Sequence, residues 1–290
     1  MVNSCVTDPT VMRMQLDKFI QVSPIYLAMR GDSQAAATLK QISDLDRRMA
    51  AFWNYVRYPK NKGRSIADSW AWDKQQIAAY EKSAERREAQ TAIATVIHLF
   101  SNDPAIKAKG EADSAVYTLW GEPDPRPLET QLANWQRKDA DSVKDYGRVI
   151  REQLVKEMSA CGMAPVNRGI VWDMDVQQVL KFGQMIEQYS DSSSFGAKSP
   201  VFATPGLSDH GRSRAVDFKV LRKANGKTEV YLGANSKKAD RWRSEACAQS
   251  LVRAVSTSNQ RSGRTVFKGP LTSPDEPWHW VYQPSPATAK

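Results

Sequence analysis

The chain has 290 residues, 41% hydrophobic and 25% charged, a composition that suits one large globular domain or two modest ones. No stretch approaches the roughly 20 apolar residues of a membrane span, and the three widely spaced cysteines (Cys5, Cys161, Cys247) suit neither a disulfide framework nor a metal cluster. The net charge of +9 favours a polyanionic partner; an anionic cell envelope and a plain solvated surface both accord with it, and no nucleic-acid motif accompanies it.

In chain order, Met1-Val2-Asn3-Ser4-Cys5 has no basic region leading into an apolar one, so no secretory signal is expected. Val11 to Phe19 has near-helical spacing, interrupted at Pro24. Asp32 or Ser33 is a cap candidate for a helix through Leu39, Leu45 and Phe52, ending before Pro59 because a residue ahead of proline avoids the α region. Residues 65–100 read as one long helix or two, with a charged, solvated middle at Lys82 to Arg87 and His98 packed in a core. Ser101 to Lys109 reads as a connection and Ala112 to Trp120 as a short helix. Gly121 to Pro127 holds three prolines, so it is a rigid loop or linker. Leu128 to Met158 is helical again and stops at Cys161 to Pro165. Trp53, Trp70, Trp72, Trp120 and Trp135 read as helix-packing residues, with an aromatic groove for a glycan as the alternative.

The pattern then changes. Asp175 caps a helix through Ile186, and Ser190 to Ser199 is a loop. Ala215 to Leu221 and Thr228 to Leu232 flank Asn225-Gly226, a strong hairpin signal. Lys237 to Ser256 reads as a helix, Val266-Phe267 as a short strand and Trp278 to Tyr282 as the last strand, reached through a loop shaped by Pro270, Pro274 and Pro277. The expected fold class is therefore α+β: a mostly helical domain over 1–165, then a domain over 166–290 in which helices flank an antiparallel sheet.

Within the second domain, Ser208-Asp209-His210 is followed by Ala215-Val216-Asp217, and both are answered by Glu276-Pro277-Trp278-His279. His210, Asp217 and His279 offer two imidazoles and a carboxylate, a three-ligand set that leaves one tetrahedral position of a catalytic Zn2+ open. Zinc lowers the pKa of water toward about 7, and Glu276 is the candidate general base. Asp209, Asp240 and Asp275 are available to orient the imidazoles.

These residues resemble the LAS zinc metallopeptidases, and within them the D-alanyl-D-alanine carboxypeptidase branch that includes phage endolysins. The resemblance covers roughly 166–284. It implies an antiparallel-sheet zinc peptidase domain, with His210, Asp217 and His279 on zinc, Glu276 as catalytic base and Ser208 at the substrate. Ser213 stands where the family usually has glycine. The family's upstream arginine has no match between Trp172 and Ser208, which leaves Arg212 and Lys198 as candidates for the substrate-binding cation. The implied function is hydrolysis of peptidoglycan stem peptides by an endo- or carboxypeptidase. The enzyme would be made in the cytoplasm and act in the periplasm or cell wall as an endolysin or antibacterial effector. The helical half would then serve targeting, regulation or a delivery partner. The rival reading is a metal-containing protein-binding module of the same fold, which would have no use for Glu276.

Overall fold

The computed structural model describes residues 8–63, 65–123, 125–159, 174–192, 195–197, 200, 202–233, 239–272 and 275–286. Among these are eleven α-helices and small antiparallel sheets, so the chain is α+β. It forms two compact units: 1–71 with 128–208, and 72–127 with 209–290. The boundary expected at 165–166 lies outside the described residues. In the fold the chain passes between the units near 71, 127 and 208. No helix among the described residues is long and apolar enough to cross a membrane.

The first unit is helical. Helix Pro9–Met29 runs on through Pro24 instead of breaking there. A proline leaves the carbonyl four residues earlier without its donor. Here that carbonyl is Ile20 O, and the Ser23 hydroxyl donates to it at 2.8 Å. The segment read as one helix from residue 32 is two, Ser33–Lys40 and Leu45–Lys62, because Asp44 caps a new start by accepting from Arg47 N. The second runs past Pro59 and stops at Gly63, at φ +64°. Helices Leu128–Trp135, Asp141–Ser159 and Val176–Ser192 complete the unit. Asp175 caps the last as expected, accepting from Gln178 N at 2.8 Å. At Gly147 a Cβ would lie 1.7 Å from Asp46 O, so only glycine lets these two helices approach. Trp53, Trp70 and Trp135 are buried in this core.

The second unit holds the sheets. Strand β1 (Val116–Trp120) lies where a helix was expected; Tyr117 and Leu119 are buried while Val116 and Trp120 are exposed, the alternation of a half-covered strand. The helix before it is Pro104–Ala112, where a connection was expected, started by Asp103 accepting from Ala105 N. The expected strand from Ala215 divides at Phe218 into β2 (Ala215–Asp217) and β3 (Lys219–Ala224). Asn225 and Gly226, at φ 50° and 73°, turn β3 into β4 (Lys227–Leu232), a two-residue loop with positive φ throughout. β5 (Phe267–Lys268), β6 (Leu271–Thr272), β7 (Asp275–Glu276) and β8 (His279–Tyr282) follow. Two sheets, in the orders β1-β3-β4 and β2-β8-β5, accompany the ribbon β6-β7.

Helices Ala84–Ser101 and Ala246–Ser262 pack on this unit's core. On the first, Ala89, Ile93, Val96 and Phe100 point inward. His98 falls on the other face and is exposed, so it is not the core residue expected. Nor is Lys82 to Arg87 wholly solvated: Glu85 and Arg86 are each 5% exposed, held by ion pairs to Arg214 and to Glu81 and Glu122. Cys247 is buried as a free thiol; Cys5 and Cys161 lie outside the described residues.

Candidate metal centre

Three stretches of the second unit build the centre. The first is the turn Asp209–Arg212, which carries His210. The His210 carbonyl accepts from Ser213 N at 3.1 Å and from Arg126 N at 3.0 Å, so the turn is fixed from both sides. Ser213, which stands where the resemblance calls for glycine, sits at φ 54°, in the left-handed region that glycine occupies more easily. It is fully buried, and its hydroxyl has no hydrogen-bond partner among the described residues.

Strands β2 and β8 supply the other two donors. Their antiparallel register sets Asp217 directly opposite His279. Directly opposed residues bring their Cβ atoms within about 5.5 Å, close enough for one ion to touch both side chains. Just before β8, Trp280 Nε1 donates to Pro277 O at 3.3 Å and Phe218 N donates to Trp278 O at 3.0 Å, which pins the short turn between Glu276 and His279.

The sequence-based set converges. His279 Nδ1 donates to Asp217 Oδ1 at 2.9 Å, and His210 Nε2 lies 3.4 Å from Asp217 Oδ2. One donor atom from each of the three residues lies within 4.8 Å of the other two, so the group could hold a metal ion. A tetrahedral metal with ligand bonds of about 2.0–2.2 Å places neighbouring donors roughly 3.3–3.6 Å apart, and the His210–Asp217 pair sits at that spacing. Glu276 Oε2 is 3.8 Å from His279 Nδ1.

The electrostatics separate the two carboxyl groups. Burial alone would raise the pKa of Asp217, but hydrogen bonds and charge from His210 and His279 overcome it, and the group is held far below the usual carboxylate range. Glu276 moves the other way. Burial pushes it up and the Asp217 charge adds to this, against the opposing pull of His279 and Arg126. One carboxyl group is thus kept ionised while its neighbour holds a proton more readily.

Arg126 is the residue that sequence reasoning missed. Its Nη2 donates to Asp217 Oδ2 at 3.1 Å. It is carried by the proline-rich segment read as a rigid loop or linker. A Cβ on Gly121 would lie 2.6 Å from the Phe218 ring, so glycine lets the segment pass close to the strands, where Pro123 bridges to Val216. The only signal in the sequence was an arginine framed by Pro125 and Pro127.

Arg212 lies in the same turn as His210, and Ser208 is the last residue of the first unit, 9% exposed. Lys198 lies outside the described residues. Asp240 and Asp275, considered as imaginable partners for the imidazoles, are both engaged by Arg243. Comparison with family models, with curated proteins and with solved structures finds no match to this chain.

Proposed function

We propose that the chain is a zinc-dependent peptidase that hydrolyses peptidoglycan stem peptides, acting as a lytic enzyme in the periplasm or cell wall. The observation that carries the reading is the convergence of His210, Asp217 and His279 with Glu276 beside them. A structural zinc site is closed by four protein ligands, whereas three ligands with an adjacent carboxyl suit catalysis. The substrate class follows the resemblance of Ser208-Asp209-His210, Ala215-Val216-Asp217 and Glu276-Pro277-Trp278-His279 to the LAS peptidases.

His210, Asp217 and His279 would hold the ion. Bound zinc supplies Lewis acidity, which acidifies water and polarises a carbonyl. Glu276 takes the proton of the attacking water at its carboxylate and passes it to the leaving nitrogen. Burial raises its pKa, which makes it the better proton acceptor for the attacking water. Arg126 brings a fixed positive charge to the same place, suited to the oxyanion that forms as the carbonyl is attacked. The presence of Glu276 disfavours a purely structural metal module, since a binding surface needs no base there.

The test is digestion of purified sacculi by zinc-loaded protein, with mass spectrometry of the released muropeptides. Cleaved stem peptides are expected, and Glu276→Gln should retain the metal while losing about 10²–10⁴ in rate. Intact muropeptides with zinc-loaded protein, or full activity in Glu276→Gln, would overturn the reading.

A further inference from the structure

We propose that the cleft beside Asp217 is a saccharide subsite with Trp120 as its platform. The substrate is then a peptide still joined to its sugar, an assignment that rests on the peptidase reading above. The cleft measures about 530 Å³, within the range of small-molecule sites, and both Asp217 and Arg126 line it. A ligand held there lies next to the candidate metal centre.

Its floor is a cross-strand pair. Trp120 of β1 stands directly opposite Lys219 of β3, with the ammonium 4.6 Å from the indole centroid. Trp120 is 42% exposed, although Trp53, Trp135 and Trp242 are fully buried. An exposed indole costs solvation that a packing role would avoid. One wall of the cleft is built with equal care. Arg86, its side chain 6% exposed, lies 3.2 Å from Glu81 and 3.1 Å from Glu122. A buried guanidinium thereby fixes two solvent-facing carboxylates at the cleft.

The mixture of groups selects the ligand class. A simple anion gains from Lys219 and Arg126 but is repelled by Glu81 and Glu122. A hydrocarbon would strip water from all of these charges. A pyranose offers an apolar C–H face to the indole in place of the Lys219 ammonium, and its hydroxyls donate to the carboxylates and accept from the displaced ammonium and Arg126.

The test measures binding without turnover. Zinc-loaded Glu276→Gln protein is titrated calorimetrically with a disaccharide-linked stem peptide and with the same peptide lacking sugar. The sugar-bearing ligand should bind at least about tenfold more tightly. That ratio should fall to within roughly twofold of unity when Trp120→Ala is added and recover with Trp120→Tyr, which keeps an aromatic face and shows that loss is not misfolding. Equal affinity for the two ligands, or a preference that survives Trp120→Ala, overturns the subsite. Digestion of sacculi without any sugar preference in binding overturns the subsite alone. A sugar preference in a protein that hydrolyses nothing supports the subsite and removes the peptidase reading.

Discussion

Each unit contains a charged cluster, and the two are built in opposite senses. In the helical unit one cation, Arg151, lies between two carboxylates, Asp17 at 2.5 Å and Asp46. In the mixed unit one carboxylate, Asp217, faces His210, His279 and Arg126, with Glu276 close behind. The first arrangement closes on itself. Its one cation is shared by two fixed carboxylates, and what it does is join helices Pro9–Met29, Leu45–Lys62 and Asp141–Ser159. The second sets two imidazoles and a guanidinium around one carboxylate, and the imidazoles and the carboxylate are groups that a metal ion can use. Similar burial therefore goes with cohesion in one unit and with the candidate metal centre in the other. The left-handed Ser213, with its unpartnered hydroxyl, sits three residues from His210; Ser114, Phe195 and Asn225 are left-handed elsewhere.

That contrast can be broken at the closed cluster. Arg151→Met leaves two carboxylates facing each other without a counter-charge, and should lower the unfolding free energy by about 3 kcal/mol. Denaturant titration measures this. Zinc stoichiometry of the remaining folded protein should not change; a variant that lost zinc while keeping its stability would reverse the roles of the two clusters.

A second closed cluster, inside the mixed unit itself, sharpens the comparison. Arg253 donates to Asp103 at 2.7 Å, and this lowers the Asp103 pKa; burial opposes it, and Ala105 N and Ser250 assist. Because the folded-state value lies below the unfolded one, Asp103 stabilises the protein above about pH 4, and that contribution is lost as pH falls through the folded value. Asp103→Ala should cost about 2 kcal/mol at pH 7 and less at pH 3, read from urea midpoints. An equal cost at both pH values would show that the charge contributes nothing.

The smallest effect is at the strained turn. Ser213→Gly relieves the left-handed conformation and removes a buried hydroxyl without a partner. After allowance for the greater freedom of glycine in the unfolded chain, it should stabilise by about 1 kcal/mol. A thermal melt should rise by roughly 2–4 °C. A fall in the melting temperature would mean that the hydroxyl has a partner of its own.

The two ligand-bearing motifs were legible because each is short, and their meeting across the 62 positions between Asp217 and His279 was expected from the resemblance and not from spacing. His210 and Asp217 lie seven positions apart along the chain, and Glu276 and His279 share a turn. Asn225-Gly226 and Asp175 likewise act within their own neighbourhoods, as a hairpin turn and a helix cap. Arg126 was not legible, because its partner Asp217 is 91 residues away and a proline-rich loop looks the same from sequence whether it links domains or lines a site. Strand β1 was missed for a related reason: five residues, four of them aromatic or β-branched, become a strand only when β3 is there to pair with them. The interleaving of the two units follows from that pairing, and no composition shift marks it. His98 is a different kind of miss. Its apolar neighbours suggested a core, but the helical phase of Ile93, Val96 and Phe100 already placed it on the outer face.

The central claim is that two imidazoles and one carboxylate grip a single ion. Equilibrium dialysis of the purified protein against zinc, with the bound metal counted per chain, tests it most directly. The account predicts one zinc per wild-type chain, and affinity weakened at least about 100-fold in each of His210→Ala, Asp217→Ala and His279→Ala while the fold persists. A wild-type chain that binds no zinc, or variants that bind it as tightly as the parent, would contradict it.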